Sequence, residues 1–277
     1  MLHILTLTWN NANKLLALRN SLYNACNNID FVWHIKDNAS SDNTVSQVES
    51  WSDKNIKLHK YKNNLQNFSE GMNYLFNNAS PKDNDYVLLL NDDVVFNDST
   101  SLKTMISLME KDSSIGVVGA RLRYLNTDKL QHAGVVFHDR LRTPMHFRLG
   151  EKSDIHAEQN REFQVVTGAV MLTKSEYYKN ICTTNKSGNK GMCESFVWAF
   201  DDVDACLSIK YNLNKKIVYC GKTNIFHEES ASLKKNPVNK MFLPQNIKLL
   251  KEKWMSRYKL DLQDYLSNPK LNLYNEK

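Results

Sequence analysis

Residues 88–96 read LLLNDDVVF. Three leucines run straight into Asn91, Asp92 and Asp93, and Val94, Val95 and Phe96 follow. An apolar run of this kind belongs to a buried strand, where an unpaired carboxylate is costly. Either the strand leaves the core at Asn91, or a positive group sits on the acids. The segments around it decide between these options. LHILTLTW (2–9), FVWHIKD (31–37), NIKLHKY (55–61) and DYVLLL (85–90) read as strands. Between them, NKLLALRNSLYNAC (13–26), TVSQVESW (44–51) and SEGMNYLFNNA (69–79) read as helices. The first of these repeats Leu15, Leu16, Leu18, Leu22 and Tyr23 near a 3.6 period, and Asn67 or Ser69 is placed to cap the third. This alternation predicts a largely parallel sheet with helices on its faces. In such sheets ligands sit outside the carboxyl ends of the strands. Asp37 and the Asn91-Asp92-Asp93 run both fall there.

Beyond residue 100 the pattern loosens. SLKTMISLMEK (101–111) predicts a helix, and IGVVGARLRY (115–124) and HAGVVFH (132–138) predict strands. Residues 139–162 read as a polar loop excursion, and FQVVTGAVMLT (163–173) as a strand pair or a strand broken at glycine. A short helix at 174–181 and a loop over 183–192 follow. DDVDACLSIKYN (201–212) predicts a helix with acids in its first turn, where the dipole favours them. KKIVYC (215–220) and NIFHEES (224–230) read as two further strands. The division expected is a main domain over 1–230 and a helical extension over 231–277 packed on it. In that extension NIKLLKEKWMSRY (246–258) places Ile247, Leu250 and Trp254 on one helical face. That face either packs on the domain or, with its lysines, meets an anionic membrane surface.

The net charge of +6 over 277 residues suits an anionic ligand such as a nucleoside diphosphate. It is too small to argue for nucleic acid, and no dense basic stripe interleaved with aromatics appears. Five cysteines without CxxC spacing read as reduced thiols. No stretch approaches the roughly 18 apolar residues of a membrane span. The expected location is cytoplasmic, or peripheral at the inner membrane face.

Four clusters carry candidate chemistry. Asn91-Asp92-Asp93 offers hard oxygens for Mg²⁺ or Mn²⁺ shared with substrate phosphates, or a turn that caps the strand. Asp37, at a strand end, can accept hydrogen bonds from a base or ribose, whereas Asp42 reads as the cap of the next helix. Asp201-Asp202-Val203-Asp204 follows Trp198 and Phe200, which can desolvate a carboxylate and raise its pKa toward general-base duty. Trp198 is also a flat surface for a sugar ring, or ordinary core. His227 gains weight as a ligand only if Asp93 holds a metal.

These clusters, in this order, resemble the inverting glycosyltransferases of family 2, with the GT-A fold. The resemblance covers about residues 2–230 and leans toward rhamnosyl- and galactofuranosyltransferases. TLTWNNANKL is similar to the family's opening strand and loop, and KDNASSDNT to its nucleoside-binding turn. LLLNDDVVF is similar to its DxD motif. LQHAGVVF (130–137) and VVTGAVMLT (165–173) resemble segments lining the donor-sugar pocket, and WAFDDVDACLSIKY resembles the block that carries its catalytic base. The resemblance implies an α/β fold with a mostly parallel, Rossmann-like central sheet flanked by helices. It implies transfer from a UDP-, dTDP- or GDP-sugar to a hydroxyl of a glycan or glycolipid. Thr8, Asn10, Asp37, Asn38 and Asp92 would bind the donor nucleotide, and Asp93 and His227 would hold Mn²⁺ or Mg²⁺. Asp202 matches the catalytic base, and Thr167, Gly168, Trp198 and Asp201 would meet the donor or acceptor sugar. Gly71 and Asn73 resemble a pocket-lining stretch. There are departures: Asn91 is neutral where the motif has Asp, Asp201 stands for a commoner Glu, and Ser208 stands where the block often has Arg.

Other readings fit less well. A sugar-nucleotide pyrophosphorylase needs a glycine-rich loop after its first strand, and TWNNANK has no glycine. A phosphatase with an aspartyl nucleophile near the N-terminus lacks its context here. A GT-A-like protein that binds sugar nucleotides without turnover is the alternative from another class.

Overall fold

The computed structural model describes residues 1–62, 67–228 and 241–274. It opens with β1 (Leu2–Thr8), α1 (Ala12–Ala25), β2 (Phe31–Asp37), α2 (Thr44–Ser50), β3 (Ile56–Lys60), α3 (Phe68–Ala79) and β4 (Tyr86–Leu90). Then come β5 (Val94–Phe96), α4 (Ser101–Lys111), β6 (Ile115–Arg123), β7 (Leu130–His132), β8 (Val135–Phe137), β9 (Pro144–His146), β10 (Arg161–Phe163) and β11 (Val170–Lys174). The chain continues through α5 (Ser175–Tyr178), α6 (Asp201–Asn212) and β12 (Lys216–His227) to α7 (Leu243–Trp254) and α8 (Leu262–Ser267).

Ten of these strands form one sheet in the order β10-β12-β6-β11-β4-β1-β2-β3, with β5 beside β12 and β7 beside β6. The block β4-β1-β2-β3 is parallel, as the alternation of elements requires. β11 runs antiparallel between β4 and β6, and β6 is parallel to β12. The continuous apolar run of β4 follows from burial on both faces. Val87 and Leu89 join one core with Met72, Leu75 and Phe76 of α3, and Leu88 and Leu90 join the other with Leu15, Leu18 and Leu22 of α1. The first core also holds buried residues of α6, α7 and α8, and the second those of α2 and α4.

Several expectations need correction. The 132–138 strand is two, β7 and β8, because Gly134 breaks it at φ +102, where a Cβ would meet the Phe163 ring at 2.4 Å. The polar excursion over 139–162 contains β9 and the start of β10, which pair with β8 and β12. The two strands expected at 215–220 and 224–230 are one strand, β12, carried across an irregularity between Cys220 and Ile225. The helix α8 carries no signal strong enough to be read in advance.

Asn67 is the cap of α3, its side chain accepting from Glu70 N at 3.1 Å. The apolar face of α7 is packed on the domain: Leu250 and Trp254 are buried, and Trp254 Nε1 donates to Asp204 Oδ1 of α6 at 2.7 Å. That face is therefore closed to a membrane surface. No helix among the described residues is long and apolar enough to cross a membrane. No disulfide joins the cysteines among the described residues.

Candidate active site

The parallel strands end together, and their exits build one polar edge. Thr8 closes β1, and its hydroxyl donates to Asp92 Oδ2 at 2.8 Å. Asn38 N, just past β2, donates to Thr8 O at 2.9 Å. Asp37 is buried; its Oδ2 accepts from Ser40 N at 3.0 Å, and its Oδ1 has no partner among the described residues. That orphan acceptor suits an incoming N–H or hydroxyl. Asn10, at φ +50, accepts from Ser41 N at 2.7 Å, and its own N–H donates to Ser40 Oγ at 2.8 Å. It thus braces the Asp37 turn from the neighbouring loop. Asp42 holds Thr44 N at 3.0 Å, the helix-start role expected of it.

Asp92 and Asp93 leave β4 side by side. Burial first, and then the Asp93 charge, push the Asp92 carboxyl up to about 6, against hydrogen bonds from Asn11 and Thr8 and the nearby charge of Lys14. Asp93 Oδ1 lies 3.1 Å from His227 Nε2, at the end of β12. Antiparallel pairing of β12 with β5 (His227 beside Val94) sets this meeting. On its far side, His227 Nδ1 lies 3.2 Å from Gln131 Oε1. An amide oxygen can only accept, which suits a proton on Nδ1; a neutral imidazole in that tautomer would present its Nε2 lone pair toward Asp93. Asn91 Nδ2, 3.3 Å from Nε2, can donate to it.

Two electron-rich atoms 3.1 Å apart, one imidazole nitrogen and one carboxylate oxygen, make a donor pair that suits a divalent cation. No group of three or more metal-ligating side chains forms among the described residues. The pair thus matches a cation that completes its shell with substrate phosphate and water.

The second half of the site arrives through β11. Asn91 N donates to Ala169 O at 2.9 Å, which sets Thr167 and Gly168 beside the acidic run. Gly168 N donates to Asp202 Oδ2 at 2.9 Å, and Val203 N donates to Asp202 Oδ1 at 2.8 Å. A Cβ on Gly168 would stand 3.1 Å from Asp202 Cβ, so the missing side chain lets the backbone reach the carboxylate. Thr167 N donates to His132 Nε2 at 3.4 Å, and His132 Nδ1 lies 2.8 Å from His146 Nδ1. His132 is fully buried, and burial holds its pKa well below the ordinary value.

Asp201 differs from its neighbour. It is buried, its Oδ2 has no partner among the described residues, and burial followed by the Asp202 charge pushes it up to about 8. The desolvation expected for this acidic cluster therefore falls on Asp201 and on Asp204, whose pKa burial also raises. Trp198 is half-buried in the segment before α6, and no ring contact joins it to the cluster. Gly71 and Asn73 have other work. A Cβ on Gly71 would collide with Leu7 at 2.7 Å, so it lets α3 pack on β1. Asn73 is buried and clamps the 182–194 segment, accepting from Met192 N at 2.7 Å and donating to Met192 O at 2.8 Å. Ser208 donates to Ile181 O at 2.8 Å in the core, where an arginine has no room.

Sequence reasoning passed over Gln131, Asn11, Lys14 and Lys36. Lys36 is wholly buried under the Asp37 turn, with Nζ 2.5 Å from Asn38 Oδ1 and 3.9 Å from the Tyr61 ring centre, and burial pushes it down to about 8. A lysine ending an otherwise apolar strand was the available signal for it. Gln131 lay inside a quoted motif, but nothing local marks it as the partner of His227.

The profile of Glycosyl transferase family 2 matches residues 4–182. The chain belongs to glycosyl transferase family 2. Its fold is that of the GT-A glycosyltransferases, and Asp202 and His227 lie beyond the matched residues. Among solved structures, residues 1–349 of Staphylococcus aureus TarS with UDP-GlcNAc share 16% identity at a TM-score of 0.56, over 83% of this chain and 61% of that one. The chain thus spans less than two thirds of that TarS fragment. The mannosyltransferase PcManGT from Pyrobaculum calidifontis, with GDP-Man and Mn²⁺, shares 11% identity at a TM-score of 0.63, over 98% of this chain and 70% of that one. At these identities the likeness is one of fold. No curated protein matches the chain.

Proposed function

We propose that this glycosyltransferase moves a sugar from a nucleoside-diphosphate donor to a hydroxyl of a glycan or glycolipid, by single displacement with inversion. One observation carries the reading: the Asn91–Ala169 backbone bond brings the Asp92-Asp93 exit and the Gly168–Asp202 contact to the same edge of the sheet. Asp37, with its orphan oxygen, takes an N–H of the base, and Thr8 and Asp92 line the path toward ribose and sugar. Asp202, held by two backbone N–H groups, is placed to take the proton of the attacking hydroxyl. Asp93 and His227 would hold Mn²⁺ or Mg²⁺, whose charge offsets that gathering on the diphosphate leaving group. Thr167 and Gly168 offer backbone to the donor sugar, and Trp198, in the segment ahead of the base, offers a flat surface to a sugar ring. Residues 1–230 form the catalytic unit, and the extension buttresses α6 through Trp254. Contact with an anionic membrane would fall to the outward lysines of α7, such as Lys248.

The rhamnosyl or galactofuranosyl assignment rests on sequence motifs alone, while the solved relatives carry UDP-GlcNAc and GDP-Man. Calorimetry with UDP, dTDP, GDP and CDP, with Mn²⁺ and with EDTA, picks the donor class. Metal-dependent binding of one nucleotide is expected. Asp202→Asn should then bind it normally while transfer falls by about 10²–10⁴-fold. Full transfer by that variant removes Asp202 as the base. Binding without release of product favours a GT-A-like protein that binds sugar nucleotides without turnover, and failure of every nucleotide to bind overturns both readings.

A further inference from the structure

A cavity of about 240 Å³ lies outside the acidic edge. Its walls come from five separate parts of the chain: Ala133, the Phe147–Ala157 loop, Arg161 of β10, Tyr219 of β12, and Tyr265 to Pro269 around α8. None of Asp37, Asp92, Asp93, Asp202 or His227 lines it. Ala133 follows His132, whose ring lies 6.2 Å from Tyr219, so one ring separates this cavity from the Thr167 backbone.

The cavity holds two guanidinium groups in opposite electrostatic situations. Arg148 is satisfied: it binds Glu151 at 2.8 Å and Asp154 at 2.7 Å. Arg161 is only 4% exposed and makes no ion pair with any described residue. Among the described residues its one side-chain hydrogen bond runs from Nη2 to Pro269 O at 2.6 Å, and its Cζ lies 5.9 Å from the Tyr265 ring centre. A buried guanidinium without a counter-charge is expensive, and this one lines an open cavity, with Pro269 fixing its plane.

The remaining surface is aromatic. Tyr219 and Tyr265 give their hydroxyls to Ala157 O and Glu162 O, each at 2.7 Å, so their rings rather than their oxygens face an occupant. With Phe147 they form apolar walls suited to the C–H faces of a sugar ring. The planar fork of Arg161 suits a carboxylate. Glu151 and Asp154 line the same cavity and repel a dianion, so one unpaired guanidinium calls for one negative charge. The volume admits a single ring.

We propose that this cavity binds a sugar acid, a hexose-sized ring bearing one carboxylate, at a site separate from the donor cleft. The test uses the full chain with no nucleotide or metal, so it stands or fails apart from the transferase reading. D-glucuronate, D-glucose and inorganic phosphate are titrated in turn, followed by calorimetry and by the methyl resonances of Ala133 and Leu266. Saturable binding of glucuronate that moves those methyls is expected, with glucose and phosphate at least tenfold weaker. Arg161→Gln should weaken glucuronate at least tenfold. Leu266, 55% exposed at the rim, gives a second variant that does not disturb the fold. Leu266→Trp should narrow the mouth and weaken binding while leaving the melting temperature unchanged. No binding by the wild-type chain overturns the proposal, as does equal binding of glucose, tighter binding of phosphate, or wild-type affinity in Leu266→Trp.

Discussion

Three histidines stack across the parallel strands beneath the Asp37 turn, and the middle one sets a measurable acid limit. His3, His34 and His59 lie on β1, β2 and β3 with ring centres 5.7 and 5.8 Å apart, and Tyr74 closes the row edge-on. Both ring nitrogens of His34 are buried without partners among the described residues. Burial first, and then His3, His59 and Lys57, lower its pKa from 6.5 to about 4. His3 faces Asp85 at 3.5 Å, and His59 faces the Lys36 charge. A base whose folded pKa is depressed binds protons more readily when unfolded. Stability is therefore full above pH 6.5 and falls as pH drops toward 4. At 1.36 kcal/mol per pKa unit the whole span is worth about 3 kcal/mol, of which about 2 is lost by roughly pH 5. His34→Phe keeps the ring and the stack while removing both orphan nitrogens. Urea denaturation at roughly pH 7 should show it more stable than the wild type by about 1–3 kcal/mol, since unsatisfied buried groups cost that much. Its loss of stability between pH 7 and pH 5 should be smaller than the wild type's by about 2 kcal/mol. An unchanged pH dependence, or a variant weaker at neutral pH, would refute the reasoning.

Asp201 titrates in the opposite sense. Its folded pKa is raised to about 8, so its contribution to stability declines as pH rises from its unfolded value toward 8. Asp201→Asn should gain on the wild type progressively over that window in denaturant titrations. Gln131→Leu removes the acceptor that fixes the His227 tautomer; Mn²⁺ affinity measured by electron paramagnetic resonance should fall about 10–100-fold, with Gln131→Glu largely restoring it. Lys253→Met strips a 2.5 Å partner from Asp204, which is wholly buried and left with Trp254 alone. A loss of about 3 kcal/mol is expected in thermal or chemical unfolding; a neutral result would mean that the extension does not brace α6.

Where periodicity and burial coincide, the elements could be read directly. β2, α4 and α6 end where the apolar pattern ends, and Asn67 is marked as a cap by its place before an amphipathic run. Strands of three residues, such as β7 to β10, have no period to read; they exist because neighbouring edges accept them. The bend at Gly134 depends on the Phe163 ring, 29 residues away, and no local feature announces it. The site divides in the same way. The placement of Asp37, Asp92 and Asp93 at the carboxyl edge of the sheet was legible because polar groups there end apolar strands. Gln131 was not, since its role comes from a contact 96 residues distant. Asp201 and Asp202 are adjacent in sequence yet face opposite environments, and only the helix they start, with Gly168 against one of them, tells them apart.

The same logic explains the acids in LLLNDDVVF. β4 feeds alternate side chains to two cores, so it must stay apolar as long as both persist. Pairing with β11 continues for one more backbone bond, from Asn91 N to Ala169 O, and then the chain leaves the sheet. At that exit Asp92 receives the Thr8 hydroxyl, while Asp93 meets His227. These contacts satisfy hydrogen-bonding needs without balancing the charge. Lys14, whose charge acts on Asp92, forms its ion pair with Glu228 at 3.2 Å, and the Asp92 carboxyl rises to about 6 as a result of burial and of Asp93 beside it. A sheet edge that gathers carboxylates with too little positive charge to match is poised for a cation, and a cation held there attracts a diphosphate. Among the described residues this leaves the edge short of positive charge, the condition that the proposed cation-assisted transfer from a sugar nucleotide would meet.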